Sequence, residues 1–159
     1  MSSTKTYVVD AANPTGEEKR LADEKQIIND VRIEQEWAVQ AVKYSEVYMK
    51  LLKAIEPEKL KLSPIDDEIY RRFREVFPSL NVEHLDEDEM KSKAGKEKWR
   101  PLLMEFKGRV KDWDLGTLLR IDSKKDMSEE NSTIAPRIQF LCIELARNKE
   151  GFNKAIHEQ

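Results

Sequence analysis

Two acidic clusters and a scatter of arginines are the residues here whose types and spacing could do chemistry. Asp66-Asp67-Glu68 could hold a hard cation or serve acid–base chemistry. No second cluster lies at a spacing that completes a metal site. Acids in a helix's first turn are stabilised by the positive end of its dipole, by roughly 0.3–1 kcal/mol each, and the cluster is expected to act in that way. The run from Asp86 to Glu89 lacks the alternating ligands and turn glycine of a calcium loop, so it reads as solvated surface. His84, beside that run, and His157, near the C-terminus, read as solvated imidazoles rather than bases or zinc ligands. Cys142 lies between Leu141 and Ile143 and reads as a buried, inert thiol. Phosphate-cradling loops need closely spaced glycines, and the nearest two here, Gly108 and Gly116, are eight positions apart. A familiar nucleotide loop and the glycine turn of S-adenosylmethionine-dependent methyl transfer are both missing.

The charged residues inside apolar tracts carry more information. Arg120 interrupts a strand-like run, Arg137 follows Pro136, Glu144 lies within the last apolar stripe, and Arg147-Asn148-Lys149 closes it. These arginines could pair with Asp122 and Glu144 to fix a hairpin against a helix. They could equally present forked donors to a partner's carboxylate or phosphate, and the residues alone leave both open. Charge is also segregated: residues 83–89 hold five acids and no Lys or Arg, whereas 91–111 hold eight Lys or Arg against two Glu. Adjacent patches of opposite sign suit steering toward a charged protein partner, although most single charges read as solvated faces with salt-bridging neighbours.

The elements that must position these residues follow from periodicity. Ile33, Trp37, Ala41, Tyr44, Tyr48, Leu51 and Ile55 alternate by four and three, which predicts one face of a helix ended by Pro57. Ser63-Pro64-Ile65-Asp66 reads as a capped helix start, with Ile65, Ile69, Phe73, Val76 and Phe77 buried and Pro78 as the stop. Asp86 to Lys93 suggests a short acidic helix. Trp99, Leu102, Leu103, Phe106, Val110 and Trp113 predict another, with Pro101 in its first turn or else kinking it. Residues 116–121 and 133–135 read as a β-hairpin. Pro136 then opens a last helix with Ile138, Leu141, Cys142 and Leu145 inward, and Gly151 stops it. The expected fold is mainly α: a single helical domain of four to five helices over residues 26–159, with a small hairpin near 116–135. Residues 1–25 read as a disordered tail, because they hold too few large apolar side chains to offset the entropy of ordering.

A chain of 159 residues with 37% charged residues and a net charge of −3 is a single-domain length and is not distinctly basic. That balance argues against a general nucleic-acid binder and against a polybasic membrane anchor. One cysteine, no long apolar run and no secretory signal make a soluble intracellular protein the expectation.

Five blocks of this sequence resemble the polysaccharide-biosynthesis-domain-containing protein 1 family. They are Tyr48-Met49-Lys50-Leu51-Leu52, Leu62 to Tyr70, Lys96 to Pro101, Leu115 to Asp122, and Pro136 to Gly151, in order over roughly residues 30–155. The resemblance implies a cytoplasmic, ATP-independent chaperone without a cofactor. It would bind the nascent GTP-binding domain of translation elongation factor 1-alpha at the ribosome and release it on folding. A non-enzymatic adaptor in a stable ribosome-associated complex is the alternative, and a polysaccharide-modifying enzyme is a more distant one. No function carried by a charged C-terminal tail, as in longer relatives, is expected of residues up to Gln159. Within the matching blocks the surface-capable residues Asp66, Asp67, Tyr70, Arg100, Arg120, Asp122, Arg137, Arg147, Asn148 and Lys149 are the expected partner contacts, some of them as internal salt bridges.

Overall fold

The computed structural model describes residues 16–159, apart from the side chains of residues 28–31 and 33. In chain order the elements are α1 (Gly16–Ala54), a 3-10 turn (Pro57–Lys59), α2 (Asp66–Val76), α3 (Glu87–Lys91), α4 (Lys93–Phe106), β1 (Gly116–Arg120), β2 (Ser132–Pro136), α5 (Arg137–Glu150) and α6 (Lys154–His157). The described chain divides into two units after Gln40.

In the first unit the helix begins at Gly16, with Glu17 and Glu18 at its positive end and an exposed Arg20–Glu24 pair at 2.9 Å. Residues 16–25, expected within the tail, are therefore helical. Their Glu, Lys, Arg and Ala content favours a helix without any core to pack on. Residues 1–15 of that expected tail, and the Ile33 side chain, lie outside the described residues.

In the second unit every residue from Ile138 to Asn148 is buried, so α5 is enclosed all round. Around it lie the C-terminal turns of α1 with Tyr48, Met49 and Leu52, α2 with Ile69 and Phe73, α4 with Trp99, Leu102 and Phe106, and the β-hairpin with Leu119 and Ala135. The hairpin pairs antiparallel from Gly116↔Pro136 to Arg120↔Ser132, and Gly151 ends α5 in the left-handed conformation at φ 89°. The expected mainly α fold with one hairpin is the observed one.

Four polar side chains of α5, Gln139, Glu144, Arg147 and Asn148, are inside this core. A carboxylate there is tolerable only if its lone pairs are filled and its charge is matched. Glu144 meets both conditions: it accepts from Tyr48 Oη at 2.8 Å, Arg120 Nη2 at 3.1 Å, Arg147 Nη1 at 2.7 Å and Asn153 Nδ2 at 3.0 Å. Both arginines also donate to backbone carbonyls. Arg120 Nη1 donates to Ser123 O at 2.7 Å, while Arg147 donates to Val82 O at 2.7 Å, Arg120 O at 2.8 Å and Ile121 O at 3.1 Å. Asn153 also bonds Arg120 and Asn148, and Asn148 reaches the Tyr48 hydroxyl. One carboxylate thus ties α1, the β1 end, α5 and the segment before α6 to a common point.

Several boundaries differ from the sequence expectation. The buried arc of α1 centres on Ser45, Tyr48, Met49 and Leu52, which leaves Leu51 and Ile55 exposed at its edge. α2 starts at Asp66 without a side-chain cap; Ser63 instead accepts from the Ile65 amide, and Asp66 accepts from the Leu62 amide and the Ser63 hydroxyl, closing the turn one step earlier. α4 starts at Lys93, so Pro101 lies in its interior on the exposed side. The helix stops at Phe106, before Gly108 at φ 78°, so Val110 and Trp113 belong to the following turns.

Two outcomes follow for the network. Glu144→Ala strands two buried guanidinium groups and is expected to cost about 3–5 kcal/mol in urea denaturation. The second concerns pH. Burial pushes the Glu144 carboxyl up, but Arg120 and Arg147, helped by Asn153 and Tyr48, outweigh it and hold it at about 2 against an ordinary 4.5. A depressed folded value means a stabilisation complete above pH 4.5 and lost as pH falls through about 2. The stability gap between the native protein and Glu144→Gln should therefore narrow across that window.

Candidate interaction site

The corner between α3 and α4 is built by three small or polar residues. Asp86 caps α3 by accepting the Glu89 amide at 3.1 Å. Ser92 serves both helices: its hydroxyl donates to Glu89 O at 2.6 Å and accepts the Gly95 amide at 3.0 Å. Gly95 then lies so close to α3 that an added Cβ would sit 2.1 Å from the Glu89 carbonyl oxygen. This approach sets Met90 and Trp99 where both line two neighbouring open clefts.

The first cleft, about 670 Å³, lies between α3, α4 and the 76–86 segment. Its aromatic wall is Phe77 against Trp99 at 4.5 Å between centroids, with Phe73 stacked on Trp99 at 5.5 Å. His84, Asp86, Glu89 and Lys98 supply its polar lining. The second, about 860 Å³, runs between α4 and the hairpin, with Lys93, Lys96 and Arg100 on one side and Ile134 and Pro136 on the other. Among the described residues, no three His, Cys, Asp or Glu side chains gather to hold a metal ion, and no helix is long and apolar enough to cross a membrane.

The structure distributes the expected contact residues over five settings. Arg120, Arg147 and Asn148 are buried in the Glu144 network, so as partner contacts they are corrected: the arginines donate to backbone carbonyls, Glu144 and Asn153, and Asn148 donates to the Tyr48 hydroxyl. Asp122 pairs with neither arginine. Its amide donates to Asn131, its carboxylate accepts the Lys124 amide, and it bridges to His84. Asp66 likewise closes a local turn. Asp67, Tyr70 and Lys149 meet on the α2–α5 seam, where Lys149 bonds Asp67 at 2.9 Å and lies 5.6 Å over the Tyr70 ring. Tyr70 donates to Glu150, which also takes a bidentate Arg74. The Lys149 bond and charge lower the Asp67 carboxyl, whereas burial and then Glu150 raise the Tyr70 phenol. Arg137 is half-buried with its guanidinium 5.5 Å over Tyr44. Only Arg100 opens into a cleft.

Cys142 is fully buried, and burial pushes its thiol far up, as an inert core residue requires. Sequence reasoning missed Met90, Met104 and Ile134. The available signal was large apolar residues beside cations at helical or strand spacing.

Fold and site define a mainly helical domain assembled around one enclosed helix, with open clefts at the α3–α4 corner. The family model described as "PBDC1 protein" matches residues 33–158, and the chain belongs to that family. It is 52% identical over 128 residues to Protein PBDC1 of Mus musculus, covering 80% of this chain and 65% of that protein. It is 50% identical over 129 residues to Protein PBDC1 of Homo sapiens, covering 81% and 55%. The chain thus spans little more than half to two thirds of these relatives. A solution NMR structure of a Saccharomyces cerevisiae protein, 39% identical, matches with a TM-score of 0.74 over 80% of this chain and 90% of that one.

Gly95→Ala should drive α3 off α4. Amides of residues 87–92 are expected to exchange at least tenfold faster by hydrogen-exchange mass spectrometry, while α5 keeps its protection. Unchanged exchange there would mean the close approach does not hold the corner.

Proposed function

We propose that this protein is a protein-binding module and, following its family resemblance, a cytoplasmic ATP-independent chaperone. Its client would be the nascent GTP-binding domain of translation elongation factor 1-alpha, released once that domain has folded. The observation that supports binding is the pair of contiguous open clefts sharing Met90 and Trp99, one aromatic and one cationic. Open, part-apolar surfaces on a rigid scaffold suit transient cover of a client's unfinished core, since a fixed receptor surface does not pay to order itself on each encounter. A holding chaperone needs differential affinity rather than chemistry: completion of the client's fold removes the surface that was bound.

Capture from ribosomes translating in a eukaryotic lysate tests this reading. Nascent elongation factor 1-alpha chains should be enriched at least tenfold over other nascent chains, and the mature GTP-bound factor should not be. Capture of ribosomes that persists after puromycin has released the chains would instead fit a stable ribosome-associated adaptor.

A further inference from the structure

The cationic cleft has more structure than a charged face requires. Lys93, Lys96 and Arg100 follow one another at i, i+3 and i+7 along α4, which places them on one side of the helix. None makes an ion pair among the described residues, although neighbouring cations do: Arg72 with Glu105, Arg109 with Glu68 and Lys91 with Glu87. Beside them stand Met104, 47% exposed, and Ile134, 48% exposed, on facing elements. Large apolar side chains left open beside unmatched cations mark a surface completed by another molecule.

We propose that this groove docks an acidic amphipathic segment of a partner protein, its apolar residues between Met104 and Ile134 and its carboxylates against Lys93, Lys96 and Arg100. The distance from Lys93 to Met104 along the helix is roughly 16 Å, about three turns of a bound helix. A nucleic-acid backbone fits less well. Phosphates could meet the three cations, but a sugar–phosphate chain would leave Met104 and Ile134 uncovered. The inference rests on reading the protein as a binding module, though not on which client it serves.

The probe is a fluorescein-labelled peptide of about sixteen residues, with Leu at i, i+3, i+4 and i+7 and Glu elsewhere, read by anisotropy against the whole chain. Controls are a shuffled peptide of the same composition, oligo-glutamate and a single-stranded RNA of similar length. The patterned peptide should bind at least tenfold tighter than any control. Lys93→Glu/Lys96→Glu/Arg100→Glu should weaken it tenfold or more, and the corresponding triple Gln variant should fall between, guarding against misfolding. Met104→Asp should also weaken it severalfold. Lys98→Glu, in the other cleft, should change it less than twofold. Equal binding of oligo-glutamate or the shuffled peptide, tighter binding of RNA, or no peptide binding overturns the assignment. If the unsubstituted protein captures nascent chains but does not bind the peptide, the groove alone is overturned; if it binds the peptide but captures no nascent elongation factor 1-alpha chains, the client alone is overturned.

Discussion

The structure depends on a carboxylate that has no access to water. Placing Glu144 on the enclosed face of α5 obliges the rest of the unit to supply two guanidinium groups, a phenol and an amide at fixed positions. Ion pairs of this kind add little net stability over a well-packed apolar substitute, because desolvation consumes most of the Coulomb gain. What they add is geometric exactness, since a fork with directed protons tolerates less displacement than a methyl group. Tyr48, Arg120 and Asn153 come from different stretches of chain, so the network fixes the relative placement of elements that apolar contacts alone would hold more loosely.

That scaffold explains why the clefts can stay open. Arg147 takes the carbonyls of Val82, Arg120 and Ile121, holding the segment after α2 beside the end of β1. The segment forms one wall of the aromatic cleft, and α4, packed on α5 through Leu102 and Phe106, forms the other. Open walls on a fixed frame do not collapse on each other, which is what a surface poised for a partner needs. Charges inside the frame are thus structural, and outside it Lys93, Lys96 and Arg100 are among the cations without an ion pair among the described residues.

Periodicity made most elements legible: the hairpin, Pro136 opening α5 and Gly151 closing it all follow from local chemistry. The enclosure of α5 was not legible. Its charged residues look amphipathic in sequence, and only the partners 96 and 24 positions away show that Glu144 faces inward. For the same reason Arg120 and Arg147 looked equally suited to a partner or to an internal pair. Of the two positions open to Pro101, the first turn or the helix interior, the interior is the observed one, because Ser92 caps the helix two turns earlier by accepting the Gly95 amide. Of the expected contact residues only Arg100 reached a cleft, because local sequence reports charge but not which charges have already been answered.

The order of the chain has a consequence for synthesis. The buried apolar residues of α1, α2, α4 and the hairpin share one core with α5, the penultimate helix, and the bonds from Tyr48 to Glu144 and from His157 to Leu52 close loops of 96 and 105 residues. A polypeptide leaving the ribosome from its N-terminus therefore carries α1, α2, α4 and the hairpin with their greasy sides bare until residues 137–150 emerge. Loop closure over such spans is slow relative to local helix formation. Completion of the folded unit therefore waits on the emergence of its penultimate helix.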